Sequence, residues 1–164
     1  MHSRTPFAPI SYPSRMREDL LRQFFNTKVN ATDLAGDLRN TVTYVTPIVS
    51  RIAIEDMQGS FRIERQHVIM LCDAFLSTII TPEALNTISF ALIASDHFEW
   101  DDEIISEVLH DWSAPEINLP INNETISIHR SWLTGIAEPL PRPKQHSGRI
   151  VSVREKLNSR ERDH

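Results

Sequence analysis

Between Arg65 and Arg130 the chain contains no lysine or arginine, yet eleven carboxylates fall in that interval: Asp73, Glu83, Asp96, Glu99, Asp101, Asp102, Glu103, Glu107, Asp111, Glu116 and Glu124. A segment of charge −11 cannot form ion pairs within itself. Any fold must bring arginines from the flanks against it, or leave a negative field facing solvent or a cationic partner. The flanks carry the opposite sign, with nine basic and seven acidic side chains in residues 1–65 and eight and four in residues 130–164, so the net charge of −5 conceals a strong internal asymmetry.

A length of 164 residues with 40% apolar content supports one ordinary core, too apolar for a disordered chain. No apolar run approaches the roughly 18 residues of a membrane span. The opening stretch, punctuated by Pro6, Pro9 and Pro13, lacks the apolar region of a secretory signal. The single cysteine, Cys72, cannot form an internal disulfide, which agrees with a reducing compartment, and a cytoplasmic address is expected.

Periodicity predicts a mainly α protein, a helical bundle of about six helices with a small β-hairpin. Ser14 is a cap for a helix to Phe25 with Met16, Leu20, Leu21 and Phe24 at helical spacing. Asn30 caps a second helix bearing Leu34, Leu38, Thr41 or Val42, and Val45, which Pro47 ends. Alternation at Ile52, Ile54, Phe61 and Ile63 reads as a hairpin over 51–64 turning near Gln58-Gly59. A third helix starts near Arg65. Thr81-Pro82 opens a fourth, apolar almost all round from Phe90 to Ala94 and therefore central. A fifth spans about Asp101 to Trp112, and a sixth runs from Asn122 or Asn123 to near Gly135. An extended arm (1–13), a helical domain (14–135) and a polar, proline-bearing tail (136–164) complete the organisation, with Ile150 to Val153 a segment that could add a strand to the hairpin.

Residues 20–34 and 71–85 echo each other at an offset of 51: Leu20, Phe24, Thr27 and Leu34 recur as Leu71, Phe75, Thr78 and Leu85, and the caps Asn30 and Thr81 fall in register. Two helix pairs joined by short loops would produce this, and chance is the competing explanation.

No catalytic signature is present. Four glycines, at 36, 59, 135 and 148, build neither a phosphate loop nor a dinucleotide fingerprint. His129 falls between Ile126 and Trp132 on an inward face, Cys72 lies on an apolar stripe, and neither has a nucleophile motif around it. His97, Glu99 and Asp101 supply the ingredients of a divalent-metal enzyme without the paired spacing of zinc or calcium sites. The alternative is that Asp101 and Asp102 cap a helix. The acidic centre would repel a polyanion, which argues against nucleic acid as a partner. No cofactor is implied.

The fifth helix pairs an apolar face, Ile104, Ile105, Val108, Leu109 and Trp112, with an acid ladder at Glu103, Glu107 and Asp111. Like charges at i, i+4 and i+8 each cost a few tenths of a kcal/mol. Either the ladder is a solvated face balanced by Arg62, Arg65 or Arg130, or it docks a basic partner. In the docking reading Asp96, Glu99, Asp101, Asp102, Glu103, Glu107 and Asp111 supply charge, and Phe98 and Trp100 supply apolar anchors.

The run from Leu71 to Leu85, a helix, a short loop with Ile80-Thr81 and a second helix, followed by Ser95-Asp96-His97-Phe98 and the acids Asp101 to Glu103, resembles bacterial toxin immunity proteins of the colicin D immunity-like type. The hairpin at 51–64 and the basic tail are departures from those bundles. The resemblance implies a non-catalytic inhibitor whose acidic surface covers the basic cleft of a nuclease toxin. A small accessory subunit of a bacterial multiprotein assembly is the alternative from another class.

Overall fold

A computed structural model describes residues 16–39, 42–44, 50–52 and 54–141. In chain order the elements are β1 (Met16–Arg17), α1 (Glu18–Phe25), α2 (Ala31–Leu38), β2 (Val42–Tyr44), β3 (Ser50–Ile52), β4 (Ile54–Glu55), β5 (Phe61–Arg62), α3 (Arg65–Leu76), α4 (Pro82–Ala94), β6 (Phe98–Glu99), α5 (Glu103–Ser113) and α6 (Asn123–Leu133). The protein is mainly α. Among the described residues no helix is long and apolar enough to cross a membrane. The expected arm at 1–13, the Ser14 cap, Pro47 and the tail beyond residue 141 lie outside the described residues.

The predicted caps hold their helices. The Asn30 side chain accepts from the Asp33 N–H at 2.8 Å, Thr81 Oγ1 from the Ala84 N–H at 3.1 Å, and Asn122 from the Thr125 N–H at 2.9 Å, each satisfying a donor that a helix start leaves orphaned. α2 ends at Leu38 instead of continuing to Val45, because the chain enters strand β2. The β-branched and aromatic run Val42-Thr43-Tyr44 favours the pleated backbone over a third helical turn. Helix α1 starts after strand β1, so Met16 is a strand residue and not part of the helix.

The hairpin expected over 51–64 does not form as such. The chain does turn at Gly59, whose φ of +78° suits glycine. The strands on either side, however, pair elsewhere: β4 runs parallel to β1 (Met16 opposite Ile54, Arg17 opposite Glu55), β5 runs parallel to β6 (Phe61 opposite Phe98, Arg62 opposite Glu99), and β3 pairs antiparallel with β2. A parallel pair needs a long crossover, and each crossover here contains a helix pair.

The chain therefore contains two units of the same plan: strand, helix, helix, parallel strand. β1, α1, α2 and β4 make the first, interrupted by β2 and β3; β5, α3, α4 and β6 make the second. The two helix–helix loops have the same backbone form. Thr27 and Thr78 both adopt φ 61°, and in each loop the left-handed residue and the next one donate back into the last helical turn: Thr27 to Phe24 and Lys28 to Gln23, Thr78 to Phe75 and Ile79 to Ala74. These are Schellman closures, in which glycine is the usual left-handed residue. The echo at an offset of 51 thus corresponds to two helix–loop–helix segments with the same loop geometry. A β-branched residue in this conformation costs on the order of 1–2 kcal/mol. Replacing Thr27 or Thr78 by Gly is expected to raise stability by about 0.5–1 kcal/mol after the extra chain entropy of glycine is subtracted. Urea midpoints check this, and a lowered midpoint in both variants would contradict it.

Helices α5 and α6 complete the core, α5 against α4 and α6 against α3. The Asn86 side chain, near the start of α4, donates to the Trp112 and Ser113 carbonyls at the end of α5 (2.8 and 3.1 Å), which fixes the two helices antiparallel. α4 buries Thr87 and Ser89 by returning their hydroxyls to the carbonyls four residues back. Phe90 is 40% exposed, so the expectation that α4 is buried all round fails on that side. Between the two units, Phe25 of α1 meets Phe61, His67 and Phe98 with ring centroids 5.3–6.4 Å apart, an aromatic cluster joining α1, β5, α3 and β6.

Candidate functional site

The flanking arginines reach into the acidic segment at three points. Arg62 meets Asp101 at 2.6 Å, Arg65 grips Asp102 with Nε at 2.6 Å and Nη2 at 3.3 Å, and Arg130 meets Asp73 at 2.7 Å. Asp102 also caps α5, accepting from the Ile104 N–H at 2.9 Å. The Arg65 guanidinium holds the Asp102 carboxyl below the usual carboxylate range against the opposing effect of burial, and Asp102 in turn raises Arg65. Among the described residues, none of the three arginines forms an ion pair with Glu103.

Asp111 is not a surface acid. It is 2% exposed and faces inward, its Oδ2 3.0 Å from Nε2 of the fully buried His129. Trp112 Nε1 donates to His129 Nδ1 at 3.0 Å. An indole N–H can only donate, so Nδ1 accepts and the ring proton sits on Nε2, aimed at the Asp111 carboxylate. This chain of Trp112, His129 and Asp111 resembles the orienting half of a catalytic triad, but it is closed to solvent and ends on an indole instead of a nucleophile. Its role is to hold α5 against α6. Phe98 is likewise 5% exposed and belongs to the aromatic cluster, so it cannot anchor a partner. Trp100 is half-buried with Nε1 bonded to Ser106 Oγ at 2.7 Å.

What remains at the surface is a reduced acidic face. Asp96, Glu99 and Glu103 are exposed along the α4–β6–α5 connection, and Glu83, Glu116 and Glu124 are exposed elsewhere; among the described residues none of the six forms an ion pair. Glu107 is half-buried and has an interaction partner of its own. Beside Glu116, the loop between α5 and α6 presents Ile117 at 76% and Leu119 at 36% exposure. Apolar side chains between Pro115 and Pro120 are the only sequence signal for this feature, and it is a weak one.

The trio His97, Glu99 and Asp101 is not assembled into a metal site. Asp101 is held by Arg62, Glu99 is exposed on β6, and His97 Nδ1 lies 2.8 Å from the Gly59 carbonyl. Among the described residues, His97 is grouped instead with Glu18 and Asp56, their potential ligand atoms lying within 4.8 Å of one another. Cys72 is buried, and burial, assisted by Asp73, pushes its thiol up to about 12, which leaves it unreactive near neutral pH.

His67 is buried between Phe25 and Phe61, and its Nδ1 accepts the Glu64 N–H at 2.9 Å. Burial lowers its pKa, and the Glu64 charge only partly opposes this. With the folded value below the unfolded one, the unfolded chain binds more protons as pH falls, so this contribution is complete above about pH 6.5 and is lost below it. The urea midpoint is expected to fall between about pH 7.5 and about pH 5.5, and His67→Gln, which keeps an acceptor for Glu64, to reduce that fall. An identical fall in the variant would contradict the assignment.

Comparison with family models, with curated proteins and with solved structures gives no match.

Proposed function

We propose that the protein is a non-catalytic binding module whose acidic face covers a basic site on a partner protein, in the manner of an immunity-type inhibitor of a nuclease toxin. The observation that carries this reading is the incomplete neutralisation of the segment from residue 66 to 129. Arginines from the flanks meet Asp73, Asp101 and Asp102, while six acids stay exposed and unpaired among the described residues. The docking set is Asp96, Glu99 and Glu103, with Trp100 at its edge. Their field would accelerate and orient encounter with a cationic cleft. Affinity also requires apolar contact, which the exposed Ile117 and Leu119 beside Glu116 could supply.

The test is a panel of purified basic ribonuclease and deoxyribonuclease domains assayed with the full chain. The expected result is that cleavage by at least one domain stops at stoichiometric protein and that the variant Asp96→Lys/Glu99→Lys/Glu103→Lys does not stop it. Equal inhibition by both proteins, or none of any domain, would overturn the reading.

A further inference from the structure

We propose that Glu18, Asp56 and His97 form a binding site for a divalent transition-metal ion of the Zn²⁺ class, joining the two strand–helix–helix–strand units. One donor atom from each residue lies within 4.8 Å of the others. First-row ions with bonds of about 2.0–2.2 Å hold neighbouring donors roughly 3–3.5 Å apart, so side-chain adjustments of about 1 Å close the set around a cation.

The independent observation is on Glu18. It is fully buried as the first residue of α1, its Oε2 accepts the Met57 N–H at 3.1 Å, and its Oε1 is buried with no hydrogen-bond partner. Buried carboxylate oxygens are almost always satisfied. The nearby arginines are engaged elsewhere, Arg17 with Asp37 at 3.2 Å and Arg22 with Asp19 and, at 2.8 Å, with the Gln58 carbonyl. Among the described residues no lysine or arginine forms an ion pair with Glu18. A cation at the cluster supplies what the protein does not.

His97 is oriented for ligation. Its Nδ1 faces the Gly59 carbonyl at 2.8 Å, and a carbonyl can only accept, so Nδ1 carries the proton and Nε2 presents its lone pair. Metal-bound histidines are typically held through the second ring nitrogen in this way. One imidazole with two carboxylates suits Zn²⁺, Co²⁺ or Mn²⁺ better than Ca²⁺ or Mg²⁺, which prefer all-oxygen shells. Glu18 and Asp56 belong to the first unit, flanking β1 and β4, and His97 immediately precedes β6 of the second. Asp56 is exposed and His97 half-buried, which leaves the outer side open to solvent ligands.

The site is tested on the full chain with Co²⁺ as probe, following its visible d–d absorption, with Zn²⁺ and Mg²⁺ as competitors. The expected result is saturable binding of one Co²⁺, displaced by Zn²⁺ and not by equal Mg²⁺, with at least tenfold weaker binding in Glu18→Gln, His97→Gln and Asp56→Asn. Asp56→Asn lies at the surface and guards against a folding defect in the buried variant. Absence of saturable binding, or binding that survives all three substitutions, would overturn the proposal.

Discussion

Asp111→Ala is expected to destabilise the protein by about 3 kcal/mol, the magnitude seen when one member of a buried charged or strongly hydrogen-bonded pair is removed. His129 is fully buried, and its Nε2–H has the Asp111 carboxylate as its partner. Truncation leaves that donor buried, and Trp112 still occupies Nδ1, so the ring cannot satisfy both nitrogens by exchanging tautomers. For a domain of this size the melting temperature should fall by on the order of 10 °C. Asp111→Asn, whose side-chain oxygen can still accept from Nε2–H, should cost only about 1 kcal/mol. Urea denaturation of both variants checks the pair. An Asp111→Ala midpoint equal to that of the wild type would return Asp111 to the docking face suggested by the helical spacing.

The second large effect concerns binding. Reversing Asp96, Glu99 and Glu103 together to lysine is expected to weaken the complex with a basic nuclease domain about 100-fold. Replacing an attraction by a repulsion near a protein surface is worth about 1 kcal/mol for each residue, and three such changes give about 3 kcal/mol. All three residues are exposed and outside the core, so helical content and urea midpoint should be retained. Surface charges contribute little to stability. A matching loss of stability would mean that these acids serve the fold and not a partner.

Much of this arrangement can be read from the residues. The caps at Asn30, Thr81 with Pro82, and Asn122, and the apolar stripe from Val68 to Phe75, mark helices by local chemistry that tertiary contacts do not override. The two-residue strands are different: a pair such as Met16-Arg17 has no period to detect, and its partner Ile54-Glu55 lies far along the chain. The alternation in 51–64 was genuine strand signal, but alternation does not say which strand is the partner. Asp111 misleads for a geometric reason. Eight residues at 3.6 per turn leave it about 80° around the helix from Glu103, at the edge of the apolar face beside Trp112. An inward histidine at 129, needing an acceptor, was the available clue. The cation cluster was half visible: His97 stood out, but Glu18 and Asp56 come to it through the parallel strand pairs.

If exposed acids steer the protein to a cationic site, as proposed, that steering is read from the association rate constant with an inhibited nuclease domain across a series of salt concentrations. The wild-type rate should fall steeply as salt rises, and the triple lysine variant should associate slowly with little salt dependence. Arg62→Gln, which releases Asp101 from its ion pair, should associate faster than wild type at low salt. Equal, salt-independent rates for all three proteins would rule out steering by these acids.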